Sequence, residues 1–243
     1  MKTFHKTFLG DCLEIMKKLE PESIDLVLTD PPYNVPKTTI KFKNRKDISS
    51  DVGNWDYFNS NNDYIEFTKQ WVELTVKLLK PSGNILTFSK LENIGDIKRI
   101  YESFGIYHKS AVIWHKTNPA PQIRKVNFIS SCEAINWGVK DYNKKEKRFT
   151  FNFKTQKEMH NFIETPRCMG KERTAHPTQK PEKLITHFIE IFSNPNDVIL
   201  DPFAGSGTAA VVAMHLGRNS ISIEKDKAYY KIMQDRLSLL KSS

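Results

Sequence analysis

A chain of 243 residues that is 39% hydrophobic, with no run of 18 apolar residues, excludes a membrane-spanning helix and suits one α/β domain with an insertion, or two small domains. Its 37 Lys and Arg against 28 Asp and Glu leave a net charge of +9 and a pI near 9.3, which points to a polyanionic partner. Cys12, Cys132 and Cys168 lie far apart with no CxxC pair, so neither a disulfide framework nor a structural zinc site is expected.

The first residues, Met1 to His5, lack the apolar core of a signal peptide, and a cytoplasmic protein is expected. Cys12, Ile15, Met16 and Leu19 then recur at helical spacing. The apolar run Ile24 to Thr29 reads as a strand that stops at Asp30-Pro31-Pro32-Tyr33. Between residues 36 and 50, Lys37, Lys41, Lys43, Arg45 and Lys46 face only Asp47. Phe67, Trp71, Leu74 and Leu78 predict a helix ended by Pro81-Ser82-Gly83, and Asn84 to Phe88 a strand. A further helix carries Ile94, Ile97 and Tyr101 and closes at Gly105; Ala111 to Trp114 and Glu133 to Val139 follow as strands. A basic, proline-bearing connection from Lys116 to Lys125 separates those two strands. Residues 141 to 175 hold nine basic against five acidic side chains with little periodicity, either a solvated loop or a contact surface. Ile185, Phe188, Ile189 and Phe192 make a helix face before the strand Val198 to Asp201, a glycine-rich turn, a helix through Leu216, the strand Ser220 to Glu224 and a last helix through Leu240. The alternation predicts a doubly wound, mostly parallel α/β sheet with helices on both faces.

Two turns carry chemistry. The prolines after Asp30 remove two amide donors and leave carbonyls free to accept, so this strand end presents a carboxylate, a rigid carbonyl and the Tyr33 ring together, suited to a planar ligand bearing an amino group. An ordinary proline turn is the simpler alternative. The second turn, Asp201-Pro202-Phe203-Ala204-Gly205-Ser206-Gly207-Thr208, satisfies G-x-G-x-x-A between a strand and a helix, with Glu224 placed 19 residues after Gly205 at the next strand end. Glycines there admit a ligand close to the backbone, and the carboxylate suits two ribose hydroxyls. Taken alone, the turn equally suits NAD. A P-loop is excluded because no Lys follows the glycines, and a full dinucleotide fold because only 36 residues follow Gly207. The rest of the sheet must come from upstream; adjacent parallel strands at 24–29 and 198–201 would open both turns onto one cleft.

The pairing of Asp30-Pro31-Pro32-Tyr33 with Asp201 to Thr208 resembles the S-adenosylmethionine-dependent amino methyltransferases of DNA, over nearly the whole chain. With the Asp-Pro-Pro-Tyr segment first, the order is similar to the circularly permuted beta class. The resemblance implies a Rossmann-like methyltransferase fold with residues 1–140 as its catalytic half, 141–175 as a target-recognition insertion and 176–243 as its cofactor half. It also implies that His176, Thr178, Gln179 and Lys180, entering a helix at Pro181, hold the methionine end of the cofactor, that Asp11 and Cys12 lie near its adenine, and that Asp30 borders the cofactor as well as the target base. By its residues alone, Asp11 reads as a helix N-cap, and Lys180 as a cation that could pair with a cofactor carboxylate.

The implied reaction is methyl transfer to the 6-amino group of adenine in double-stranded DNA, with the base flipped out of the duplex and Tyr33 stacked on it. Asp at the first motif position suggests adenine; the 4-amino group of cytosine, or more remotely RNA or protein, is the alternative. Ring-carbon methylation would need a catalytic cysteine that no comparable strand end supplies. Phe203 is expected near the sulfonium, and no metal is required. Candidate DNA contacts, on charge and location, are Lys41, Lys43, Arg45, Lys46, Arg124, Lys125, Lys144, Lys145, Lys147 and Arg148. A restriction-modification or orphan methylation setting, a companion restriction endonuclease and a homodimer are the further expectations.

Overall fold

The computed structural model describes residues 3–34, 39–40, 48–49, 56, 58–143, 145 and 148–241. Its main sheet has eight strands in the order β1-β10-β9-β2-β5-β7-β6-β8. These are β1 (His5–Leu9), β2 (Ile24–Thr29), β5 (Leu79–Ser89), β6 (Ile106–Lys116), β7 (Cys132–Lys140), β8 (Phe162–Thr165), β9 (Val198–Asp201) and β10 (Asn219–Glu224), while β3 (Thr39–Ile40) and β4 (Ile48–Ser49) form a separate antiparallel pair. From β1 through β5 the pairing is parallel; β7 runs against β5 and β6. The expected adjacency holds: β2 and β9 are parallel neighbours, with Leu26 opposite Ile199 and Val27 opposite Leu200.

Helices cover both faces. On one, α1 (Cys12–Met16), α2 (Asn61–Leu78) and α3 (Ile94–Ser103) bury Met16, Trp71, Val72, Ile97 and Tyr101 against Val27, Ile85, Leu200 and Ile223. On the other, α4 (Glu182–Phe192) lays Leu184, Ile185, Phe188 and Ile189 onto Leu26, Leu28, Leu86 and Ile135. The stripe on α2 has helical spacing, and Ser60 caps it by accepting from the Asp63 N–H at 3.1 Å. In α5 (Thr208–His215), every residue from Thr208 to Ala213 is buried: Ala210 and Val211 lie under Met233 and Leu237 of α6 (Lys227–Lys241), while Ala209, Val212 and Ala213 join the cluster formed by α4 and the sheet. Among the described residues no helix is long and apolar enough to cross a membrane.

Four strands exceed the expected elements: the β3–β4 pair and, in the main sheet, β1 and β8. Both β1 and β8 are sheet edges, short and half exposed, so neither carries the apolar run that marks a central strand. Within segment 141–175, β8 pairs with β6, and Phe151 stacks on Trp137 with ring centroids 5.0 Å apart, which ties this segment to the main core.

Candidate active site

Strands β2, β5, β6, β9 and β10 all end at one edge of the sheet, and the two chemically distinctive turns meet there. A cavity of about 700 Å³ opens at that edge. It is lined from the β2 end by Thr29, Asp30 and Pro32, from the β9 turn by Asp201 to Ser206 and Thr208, from the β10 end by Glu224, Lys225 and Asp226, and from the approach to α4 by His176, Thr178, Gln179 and Lys180. Asp11 and Cys12 contribute the start of α1. Pro31 and Tyr33 adjoin the cavity without lining it, and Gly207 stands behind it.

The glycine turn is stripped to backbone for a visible reason. A Cβ on Gly205, at φ +52°, would stand 2.7 Å from His176 Nε2, and one on Gly207, at φ +77°, 2.5 Å from Met233 Cγ. Glu224 is fixed from both sides: Oε2 accepts from the Gly205 N–H at 2.7 Å and Oε1 from the Asp226 N–H at 2.6 Å. Its carboxyl is raised above the ordinary range by burial, against those two donors. Asp201 Oδ1 accepts from Thr29 Oγ1 at 2.8 Å and from the Phe203 N–H at 3.1 Å, and burial pushes its carboxyl up to about 7. Burial, then the neighbouring Lys180 charge, lowers His176 to about 4, so its imidazole is neutral; it packs edge-on to Tyr229, with ring centroids 4.3 Å apart.

A charge network occupies the other half. Tyr33 donates to Asp30 Oδ1 at 2.5 Å, with Glu133 Oε2 3.1 Å away, while Lys180 donates to Asp30 Oδ2 and stands 3.4 Å from Glu133 Oε2. Lys116 completes the set with Glu133 Oε1 at 2.7 Å. Two anions and two cations therefore balance in a site that leaves only 24% of the Asp30 side chain and 9% of Lys180 accessible. Burial raises the Asp30 carboxyl, Lys180 opposes that, and the Glu133 charge adds to it. Burial pushes Glu133 upward too, yet Lys180 and Lys116 together outweigh it and hold Glu133 below its ordinary value. Asp56 shapes the backbone of this corner, its Oδ1 accepting from the Tyr33 and Asn34 amides.

Lys180 thus points at Asp30 rather than outward to a ligand carboxylate, because a buried ammonium takes the nearest anions, here two. Pro181 is the N-cap of α4, one position outside its expected place at the first helical residue. Asp11 caps α1 as its residue type suggests, accepting from the Leu13 N–H at 2.9 Å, and its other oxygen pairs with Lys225 at 2.8 Å. Phe203 packs between Phe67 and Trp71, at 5.9 and 5.7 Å between centroids, while also facing the cavity.

Glu133, Lys116, Asp56 and Thr29 were not distinguished by spacing. The one available signal was Glu133 itself, an acid near the start of the mostly buried strand β7. Of the expected DNA contacts, Arg124, Lys125, Lys145 and Arg148 are exposed and do not line the cavity; Lys41, Lys43, Arg45, Lys46, Lys144 and Lys147 fall outside the described residues. No cluster of His, Cys, Asp and Glu among the described residues could hold a metal ion.

Known proteins share this architecture. The chain is 37% identical to the Type II methyltransferase M.HinfI of Haemophilus influenzae, over 96% of this chain and 68% of that one. It is 35% identical to the Type II methyltransferase M2.DpnII of Streptococcus pneumoniae, over 94% of this chain and 87% of that one. The structure of an M1.HpyAVI–SAM complex superposes with a TM-score of 0.73 at 28% identity, covering 96% of this chain and 99% of that one. Residues 24–235 match the DNA methylase family from the Asp30 strand through the glycine turn into α6, and the chain belongs to that family.

Proposed function

We propose that the protein transfers a methyl group from S-adenosylmethionine to the 6-amino group of adenine in double-stranded DNA. The observation that carries this reading is the convergence of Asp30 and the Gly205–Glu224 pair on one cavity. Its volume of about 700 Å³ lies within the range of small-molecule sites. Each Glu224 oxygen uses one lone pair on a backbone donor, leaving others for ribose hydroxyls, and the turn at Gly205 has no room for a side chain between backbone and ligand. The residues fit the cofactor, which supplies an electrophilic methyl group on a sulfonium.

Asp30 supplies the acceptor. An adenine amine is a weak nucleophile because its lone pair is delocalised into the ring; hydrogen bonds from that amine to Asp30 and to the Pro31 carbonyl localise the pair on nitrogen and aim it. The N–C bond formed would replace the S–C bond broken, S-adenosylhomocysteine would leave, and the surplus amine proton would pass by way of Asp30 to solvent. Most of the acceleration is then positioning and electrostatics. Lys180 and Tyr33 hold the Asp30 carboxylate in place from both of its oxygens. Tyr33 takes the face of the flipped base, and residues 141–175, with their basic excess, take part in target recognition beside the catalytic and cofactor halves. We also propose a companion restriction endonuclease, a reading supported by the Type II names of the relatives.

Labelled methyl transfer tests the reading. Duplex DNA, RNA and protein are offered with methyl-labelled cofactor, and the labelled product is digested to nucleosides. Label in N6-methyladenine from duplex DNA is expected. Label in N4-methylcytosine would move the base choice, and label only in RNA or protein would overturn the substrate.

A further inference from the structure

We propose that the segment between β6 and β7 is the element that displaces the target base, with Phe128 as the wedge that fills the stack the base vacates. The inference rests on the DNA-methylating function above. Segment 117–131 leaves the sheet at the carboxyl end of β6, the edge that carries Asp30, and returns into β7 at Cys132, one residue before Glu133. Its base is pinned. The Lys116 N–H donates to the Ser131 carbonyl at 2.7 Å, the Lys116 ammonium pairs with Glu133 at 2.7 Å, and Arg167 Nε donates to the Asn118 carbonyl at 2.8 Å.

The tip has the opposite character. Phe128 is 94% exposed, Val126 74% and Ile129 50%, directly beside the exposed cations Arg124 and Lys125. A large apolar ring held out in water is unfavourable for the free protein and calls for a partner that buries it. Cations beside it select a polyanion whose interior is apolar and stacked, which describes duplex DNA: phosphates take Arg124 and Lys125, and the space between base pairs takes an aromatic ring. Because Lys116 joins the segment to Glu133, and Glu133 joins Lys180 and Tyr33, the wedge is anchored to the residues around Asp30. A second copy of this chain, covering the same apolar tip, is the competing occupant.

The test uses duplexes carrying the recognition sequence read from the methylated product, in two forms: fully paired, and with an abasic site opposite the target adenine so that the base is already unpaired. Wild type and Phe128→Ala are compared for kcat/KM, with Phe128→Trp as the conservative variant and 2-aminopurine at the target position reporting flipping. We expect Phe128→Ala to lose about tenfold or more on the paired duplex together with the 2-aminopurine signal, to recover to within about threefold of wild type on the abasic duplex, and to be rescued by Trp. Equal activity of Ala and wild type on the paired duplex would overturn the proposal. So would an equal loss on both duplexes, or a loss that tracks a change in oligomeric state by light scattering. Absence of methyl transfer by wild type would instead count against the DNA-methylating function itself.

Discussion

Asp30 and Glu133 are two carboxylates in one buried network whose proton affinities are driven apart, the first raised and the second lowered. The Glu133 charge is one reason Asp30 holds its proton more tightly. Glu133→Gln removes that charge while keeping an acceptor for Lys116 and Tyr33, so the acidic limb of the kcat profile, set by ionisation of Asp30, shifts to lower pH. A profile that falls in amplitude without moving would show that Glu133 acts only in packing. Asp201 gives a stability signature instead. Its carboxyl is raised from 3.8 to about 7, so the folded protein holds a proton that the unfolded chain releases, and its contribution to stability declines as pH rises from about 4 to about 7. His176 works the other way: lowered from 6.5 to about 4, it favours the fold at high pH, and that contribution is lost as pH falls through the same interval. The stability difference between Asp201→Asn and wild type, followed by thermal melting, should therefore grow in favour of the variant by up to about 1.4 kcal/mol per pH unit between about 4 and 7 and then level off. A flat difference would mean that Asp201 is ionised throughout. At this scale the sequence was most legible where chemistry forced an unusual string, as at Asp30 to Tyr33. It was silent on Lys116 and offered only a lone acid in a buried strand for Glu133; the two become neighbours of Asp30 only through the pairing of β2, β5, β7 and β6.

Among the elements, the turn from β9 into α5 is the most constrained. Gly205 and Gly207 both adopt left-handed backbone, and each faces a side chain at a distance no Cβ tolerates. The two positions should nevertheless respond differently. Gly207→Ala drives against Met233 in the interior beneath α6 and should cost about 1–3 kcal/mol of stability, read as a lowered melting temperature. Gly205→Ala drives against the His176 ring at the cavity wall, and the expected outcome is cofactor affinity weakened by about tenfold in calorimetry with a smaller change in stability. Element prediction worked where burial is strong: the central strands β2, β5, β7 and β9 carry near-continuous apolar runs, and the helices α2, α3 and α4 carry helical stripes. It failed at β1 and β8, where exposed edge positions such as Lys6 and Glu164 dilute the apolar signal. The reach of segment 141–175 into the core was also illegible, since the stacking of Phe151 on Trp137 joins residues on separate elements.

For the whole molecule, the order of the two turns along the chain and the adjacency of β2 and β9 follow from each other. Placing Asp30 before the glycine turn requires upstream strands to complete the sheet, and β2 fills that place by pairing with β9 on one side and β5 on the other. The net charge of +9 belongs to this scale too. Binding to duplex DNA should weaken by at least about tenfold between about 50 and 200 mM salt, and replacing Arg124 and Lys125 by Gln should reduce the slope of log affinity against log salt by about two. An unchanged slope would place the phosphate contacts elsewhere on the surface. The central claim is that one cavity joins a cofactor half at Gly205 and Glu224 to a catalytic half at Asp30, and a paired measurement on Asp30→Ala tests it most directly. The variant should bind S-adenosylmethionine in calorimetry within about threefold of wild type while its methyl transfer to duplex DNA falls by at least about 10²-fold. Methyl transfer at the wild-type rate by that variant would contradict the account.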